Sequence, residues 1–149
     1  MLARDWRYHR RMRILAVLAV TTLAAAPAFA DDAVTGTYDV KYEDAGSTCD
    51  PKPLALTKGT LTISIKKGAL NVSFDPAFQL VGTATKDGTI NAKTAKLIGT
   101  AIGGLSARYS VVGHAEHGSV QLALTAQYVR QDTNKPYCAQ TWNVTGTRK

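Results

Sequence analysis

Histidine, cysteine and carboxylates are all scarce in this chain of 149 residues, which has three His, two Cys and eleven Asp or Glu. Each shortage narrows the chemistry. Beyond the first thirty residues only His114 and His117 remain, and with Glu116 they are the single cluster of metal-capable side chains. Zinc in a structural or catalytic site takes three or four protein ligands. On a strand His114 and Glu116 project from the same face. His117, next to Gly118, reads as a turn residue, so the ligand set falls short and no metal or other cofactor is expected. Ser106 lacks the Gly-x-Ser-x-Gly frame of a nucleophile elbow. The carboxylates Asp39, Glu43, Asp75, Asp87 and Asp132 fall in turns or on polar faces, where water surrounds them and a general acid for neutral pH is not expected. No glycine-rich phosphate loop opens a helix. A non-catalytic protein is the expectation, with an enzyme built on His114 and Glu116 the least favoured reading.

Long apolar runs are also missing, except at the N-terminus. Arg7, Arg10, Arg11 and Arg13 precede an apolar run at 14–26, and Ala28-Phe29-Ala30 supplies the small residues a signal peptidase reads. Residues 1–30 therefore read as a signal peptide cleaved after Ala30, starting from Met1 or from Met12. The run is shorter than the roughly 20 residues that cross a bilayer, so residues 31–149 are expected as one exported domain, periplasmic or secreted. Removing the leader's five Arg and one Asp from eighteen basic and eleven acidic residues leaves 13 against 10, a net charge of about +3. That is no footprint for nucleic acid. Cys49 and Cys138 then meet an oxidising compartment, where an even count predicts one disulfide.

What the exported part does have is alternation. Tyr109, Val111, Gly113 and Ala115 alternate with Arg108, Ser110 and His114. After His117-Gly118, Val120, Leu122, Leu124, Ala126 and Tyr128 share a face. Period two on both sides of a glycine turn predicts a long β-hairpin. The same grammar predicts a first strand with Val34, Gly36, Tyr38, Val40 and Tyr42 on one face. A second hairpin turns at Lys67-Gly68 and a third at Lys86-Asp87-Gly88. In the last strand Cys138, Gln140, Trp142, Val144 and Gly146 share a face. Loops are expected at 44–53 and 130–137, and segment 96–105 fits strand, crossing or helical turn equally.

This makes eight strands in a meander, with an even number that lets first and last pair. The prediction is a small all-β, antiparallel, eight-stranded up-and-down barrel, with a two-sheet sandwich as the alternative. In a closed barrel Cys49 and Cys138 sit at one rim, so their crosslink would clasp the seam. Gly36-Thr37-Tyr38 in the first strand, with Trp142 and Arg148 in the last, resembles the calycin-type secreted barrels, with Tyr38 standing where lipocalins usually carry Trp. Ser106-Ala107-Arg108-Tyr109 resembles the Ser-Gly-x-Tyr loop of periplasmic lysozyme inhibitors, with Ala107 in place of Gly.

The inward face gathers Tyr38, Tyr42, Phe74, Tyr109, Tyr128 and Trp142 beside Gly82, Ala92, Gly113, Ala115 and Ala126. An eight-stranded interior is either filled by these side chains as core or, with small residues opposite tyrosines, holds a small apolar or aromatic ligand with tyrosine hydroxyls as polar handles, and the second is the functional expectation. The alternative expectation is an envelope protein-binding or inhibitor module that acts through rim loops 44–53 and 130–137.

Overall fold

A computed structural model describes residues 31–149; the signal-peptide reading lies outside the described residues. The short helix α1 (Asp31–Val34) is followed by nine strands: β1 (Gly36–Ser47), β2 (Lys58–Lys66), β3 (Ala69–Asp75), β4 (Phe78–Ala84), β5 (Thr89–Lys93), β6 (Ile98–Gly99), β7 (Leu105–Glu116), β8 (Ser119–Arg130) and β9 (Pro136–Arg148). Every pairing is antiparallel, between neighbours from β1 to β5 and from β6 to β9. β1 pairs with β9, and β5 with β7. Eight strands thus close into a ring, and among the described residues no second sheet stands apart as a sandwich would require. β6 is the ninth. Two residues long, it pairs Ile98 with Ala107 and Gly99 with Ser106, beside the part of β7 that β5 leaves free.

Alternation explains the closure. Tyr38, Leu61, Val72, Leu80, Ile90, Val111, Leu124 and Val144 all point inward and are at most 2% exposed, while Asp39, Lys41, Gln79, Gln121 and Thr145 face out. This polar exterior is the opposite of the apolar band by which a transmembrane barrel meets lipid. Two-residue turns set the register of two hairpins. Lys67 and Gly68 have φ of 52° and 78°, and His117 and Gly118 of 49° and 75°, as the mirror-image turn that suits strand twist requires. In the register of the sheet these turns and α1 lie at one rim. Segments 48–57, 94–104 and 131–135 lie at the other.

Two expectations need correction, and one left open is settled. Val34 belongs to α1 rather than to the first strand, and it is fully buried. Loop 44–53 begins later, because β1 runs on to Ser47 through a register shift between Asp44 and Gly46. There, Gly46 has φ of 152° and its N–H donates to the Asp44 carboxylate at 3.0 Å. Segment 96–105 yields a two-residue strand and a compact turn, in which the Thr100 hydroxyl serves Leu105 O, Ile102 O and Ile102 N.

The disulfide joins Cys49 to Cys138, 89 positions apart, with Cα atoms 5.0 Å from each other. It sits at the rim of the seam between first and last strands. Thr48 N donates to Ala139 O at 2.9 Å and Ala139 N to the Thr48 hydroxyl at 2.9 Å, so strand-like bonding continues into the crosslink.

Candidate functional site

The six aromatic residues expected inside are all buried, between 0 and 9% exposed, but they do not form one group. Tyr42 and Phe74 have ring centroids 6.3 Å apart, Phe74 and Phe78 5.0 Å, and Phe78 stacks on Tyr109 at 3.9 Å with planes 7° apart. This row crosses the barrel beneath the disulfide rim. Phe78, which the sequence reading left out, completes it. Tyr128 bonds through its hydroxyl to Gln140 Oε1 at 3.0 Å. Trp142 is buried further along β9. Tyr38 lies at the far end, where its hydroxyl donates to Val34 O at 2.7 Å.

Burial dominates the chemistry of this row. It pushes the Tyr42 hydroxyl up to about 12 and raises Tyr109, with a hydrogen bond to Tyr128 pulling the other way. Tyr128 is raised by burial first and by neighbouring Tyr109 second. All three hydroxyls stay protonated across neutral pH.

The small inward residues do something other than open space. A Cβ on Gly82 would lie 1.9 Å from Asn91 O, and one on Gly113 2.2 Å from Gln121 O, both backbone atoms of the adjoining strand. These glycines let paired strands approach and bend. Ala92, Ala115 and Ala126 are packed into the core cluster.

Clefts open outside the wall, one of about 530 Å³ at the rim of His117 and Arg148 and two at the disulfide rim. A cleft of about 660 Å³ is lined by Thr48, Leu97, Arg108, Val129, Tyr137 and Ala139 among others. A second, of about 440 Å³, is bordered by Ile102, Leu105, Arg130 and again Tyr137. Tyr137 is 46% exposed and Ile102 36%. The Arg130 guanidinium carbon stands 4.8 Å over the Tyr137 ring, within range of a cation–π contact. Loop 131–135 is held shut by Arg130 N to Lys135 O and Asn134 N to Arg130 O. Gln131 ties it to the neighbouring segment through Gly104 O, Leu105 O and the Ser106 hydroxyl. Of the two rim loops expected to act, residues 130–137 thus reach the clefts directly, while loop 44–53 contributes Thr48. Leu97 and Arg108 were not foreseen. Their signal was an apolar residue in the ambiguous segment and a cation on the outward face of β7.

Gln140 was placed on the inward stripe by its alternation but given no role. It is 1% exposed, an amide on the inward stripe between Cys138 and Trp142. Its Oε1 accepts from Leu54 N at 3.2 Å and its Nε2 donates to Leu54 O at 3.0 Å. A lone polar residue on an apolar strand face was the available signal.

His114, Glu116 and His117 lie at the opposite rim. His114 Nε2 is 3.2 Å from Glu116 Oε2, and His117 Nδ1 is 3.9 Å from the same oxygen. All three side chains are exposed, and among the described residues no group of three or more His, Cys, Asp or Glu is arranged to hold a metal. Both cysteines are spent in the disulfide. Comparison with protein-family models, curated proteins and solved structures finds no match to this chain.

Proposed function

We propose that the protein is an exported, non-catalytic binding module that works from its disulfide-clasped rim, holding a partner's segment in the outer clefts around Tyr137. The partner's chemistry follows from the lining. Leu97, Val129, Ile102 and Tyr137 ask for apolar side chains. Arg108 and Arg130, set against Asp132 as the one carboxylate of the lining, ask for carboxylates, and Lys96 and Lys135 adjoin lining residues in sequence. An extended, acidic, apolar-anchored segment of an envelope protein meets both requirements.

The observation that carries this reading is Tyr137. It stands exposed between two clefts, braced by Arg130, at the start of β9 and directly after a loop tied down at both ends. Tyrosine and arginine are the residues most often found at the energetic centre of an interface. A rigid loop also pays little ordering entropy on binding. The interior small-ligand reading ranks second, because Gly82 and Gly113 give their missing side chains to strand contact rather than to a cavity.

A photo-crosslinking amino acid placed at position 137, and separately at Val81 on the far wall (44% exposed), tests the proposal in envelope fractions. A discrete adduct from position 137, absent from position 81 and lost with Arg108→Glu, is expected. Equal labelling from both positions, or none from 137, overturns it.

A further inference from the structure

The hydrogen bonds between Gln140 and Leu54 form a fork: both the N–H and the C=O of one loop residue pair with one buried amide. Strands recognise each other through the same two groups. Gln140 therefore treats Leu54 as a residue of an extended peptide. Its Oε1 is shared with the Tyr128 hydroxyl, which fixes the amide's orientation. Beside it, Leu54 and Leu56 rest on the core cluster while remaining partly exposed.

The segment that carries this peptide is lightly held. Its ends are tethered, by the Cys49–Cys138 disulfide on one side and by Tyr42 N to Thr57 O at 3.0 Å on the other, and between them one exposed ion pair, Lys52 to Asp44 of β1, must break for the loop to move. Between them Asp50, Pro51, Lys52 and Ala55 are exposed. The strand residues below are mostly 0–2% exposed. Segments with few buried contacts open at lower free energy than the body they cover.

We propose that the disulfide end of the barrel is a peptide-binding seat, filled at rest by the chain's own Leu54, and that loop 50–57 swings out on its tethers to admit an apolar residue of another peptide. The incoming residue takes Leu54's place in the Gln140 fork and sets its side chain on the core. Its chemical class is an aliphatic residue in an extended, uncharged stretch, with free N–H and C=O. The proposal is independent of the outer clefts, and substitutions at Tyr137 leave it unchanged.

The test uses the mature chain and a synthetic peptide copying residues 53–57, Pro-Leu-Ala-Leu-Thr, blocked at both ends. A double variant, Leu54→Gly with Leu56→Gly, empties the seat. Near-ultraviolet circular dichroism, which reads the packed tyrosines and Trp142, establishes that it keeps its barrel. Saturable binding of the labelled peptide is expected, at least tenfold weaker for the unaltered chain and abolished when Gln140→Leu is added. A folded double variant that binds no peptide, or binds it equally well with Gln140→Leu, overturns the proposal. Hydrogen exchange on the unaltered protein gives a second reading that does not depend on the variant's folding. The Leu54 amide must exchange at least tenfold faster than those of Leu124 and Val144 on the wall. Equal protection means the loop does not open, and the seat is then simply part of the core.

Discussion

Arg148, the last residue of β9, lies across the ring of Tyr38 on β1. Its guanidinium carbon is 5.5 Å from the ring centroid, and its Nη2 is 3.1 Å from both the Tyr38 hydroxyl and Ala33 O. The two are direct cross-strand partners. Gly36 makes the path, since a Cβ there would stand 2.8 Å from Arg148 Nε. One arginine therefore joins the first strand, the last strand and α1, closing the rim opposite the disulfide. The barrel has a clasp at each end of its seam, covalent at one and cationic at the other.

Arg148→Ala removes a cation–π contact worth about 0.5–2 kcal/mol and two hydrogen bonds, one of them to a main-chain carbonyl of α1. A loss of about 2 kcal/mol is expected, read as a lower urea midpoint with an unchanged slope. Arg148→Lys keeps the charge but loses the planar fork, and is expected to fall between the two. An alanine variant with the parent's midpoint would mean that the contact adds nothing to the closure.

The glycines allow a sharp comparison. Gly82→Ala drives a methyl into Asn91 O and the Cα of Ala92, so β4 and β5 must separate. The expected cost is about 3 kcal/mol, at the upper end of overpacking effects. Gly99→Ala, with nothing within 4 Å of the added atom, is expected to stay within about 0.5 kcal/mol of the parent. Thermal melts of the pair decide it. Equal melting temperatures would refute strand contact as the reason Gly82 is small.

Much of this fold was legible because strands advertise themselves by alternation. Tyr109 to Ala115 and Val120 to Tyr128 needed no tertiary information, and neither did the turns at Lys67-Gly68 and His117-Gly118. The rim joining Cys49 to Cys138 followed from strand parity. The remainder was hidden for identifiable reasons. Val34 continues the alternation of β1 in sequence, yet its inward position belongs to a helical turn, a difference set by what covers the end of the barrel. Gly82 and Gly113 look alike whether they open a cavity or let backbones touch, and only the position of the adjoining strand separates the two. The clefts around Tyr137 draw Thr48, Leu97 and Arg108 from three distant stretches, so no local pattern could assemble them. Gln140 was visible as a polar residue on an apolar stripe, but its partner, Leu54, lies 86 positions away.

The buried tyrosines make a prediction about alkaline pH. Tyr42, Tyr109 and Tyr128 have hydroxyls raised by burial above the value near 10 of an unfolded tyrosine. A raised folded value means stability that is complete below about pH 10 and drains away as the pH climbs toward the folded values, near 12 for Tyr42. The unfolded chain releases protons first and is favoured progressively. Absorbance at 295 nm should show these phenols resisting ionisation until the barrel unfolds, then ionising together with that transition. Tyr42→Phe should move the alkaline midpoint upward. Smooth ionisation of all tyrosines near pH 10, with the fold intact, would contradict the burial.

The disulfide supplies the last and largest expected effect. It closes a loop spanning 89 positions, for which chain entropy gives roughly 4–5 kcal/mol before any offset from residual structure. That is a large share of the stability of an ordinary domain, about 5–15 kcal/mol. The Cys49→Ser, Cys138→Ser double variant should therefore fold, but with a urea midpoint lowered by roughly a third or more. Arg148→Ala acts at the opposite rim of the same seam. If the two clasps hold one closure, their combined cost should differ from the sum of the separate costs by more than the roughly 0.3–0.5 kcal/mol typical of independent sites. Strict additivity would mean that each rim is secured on its own and that β1 and β9 stay paired without either clasp.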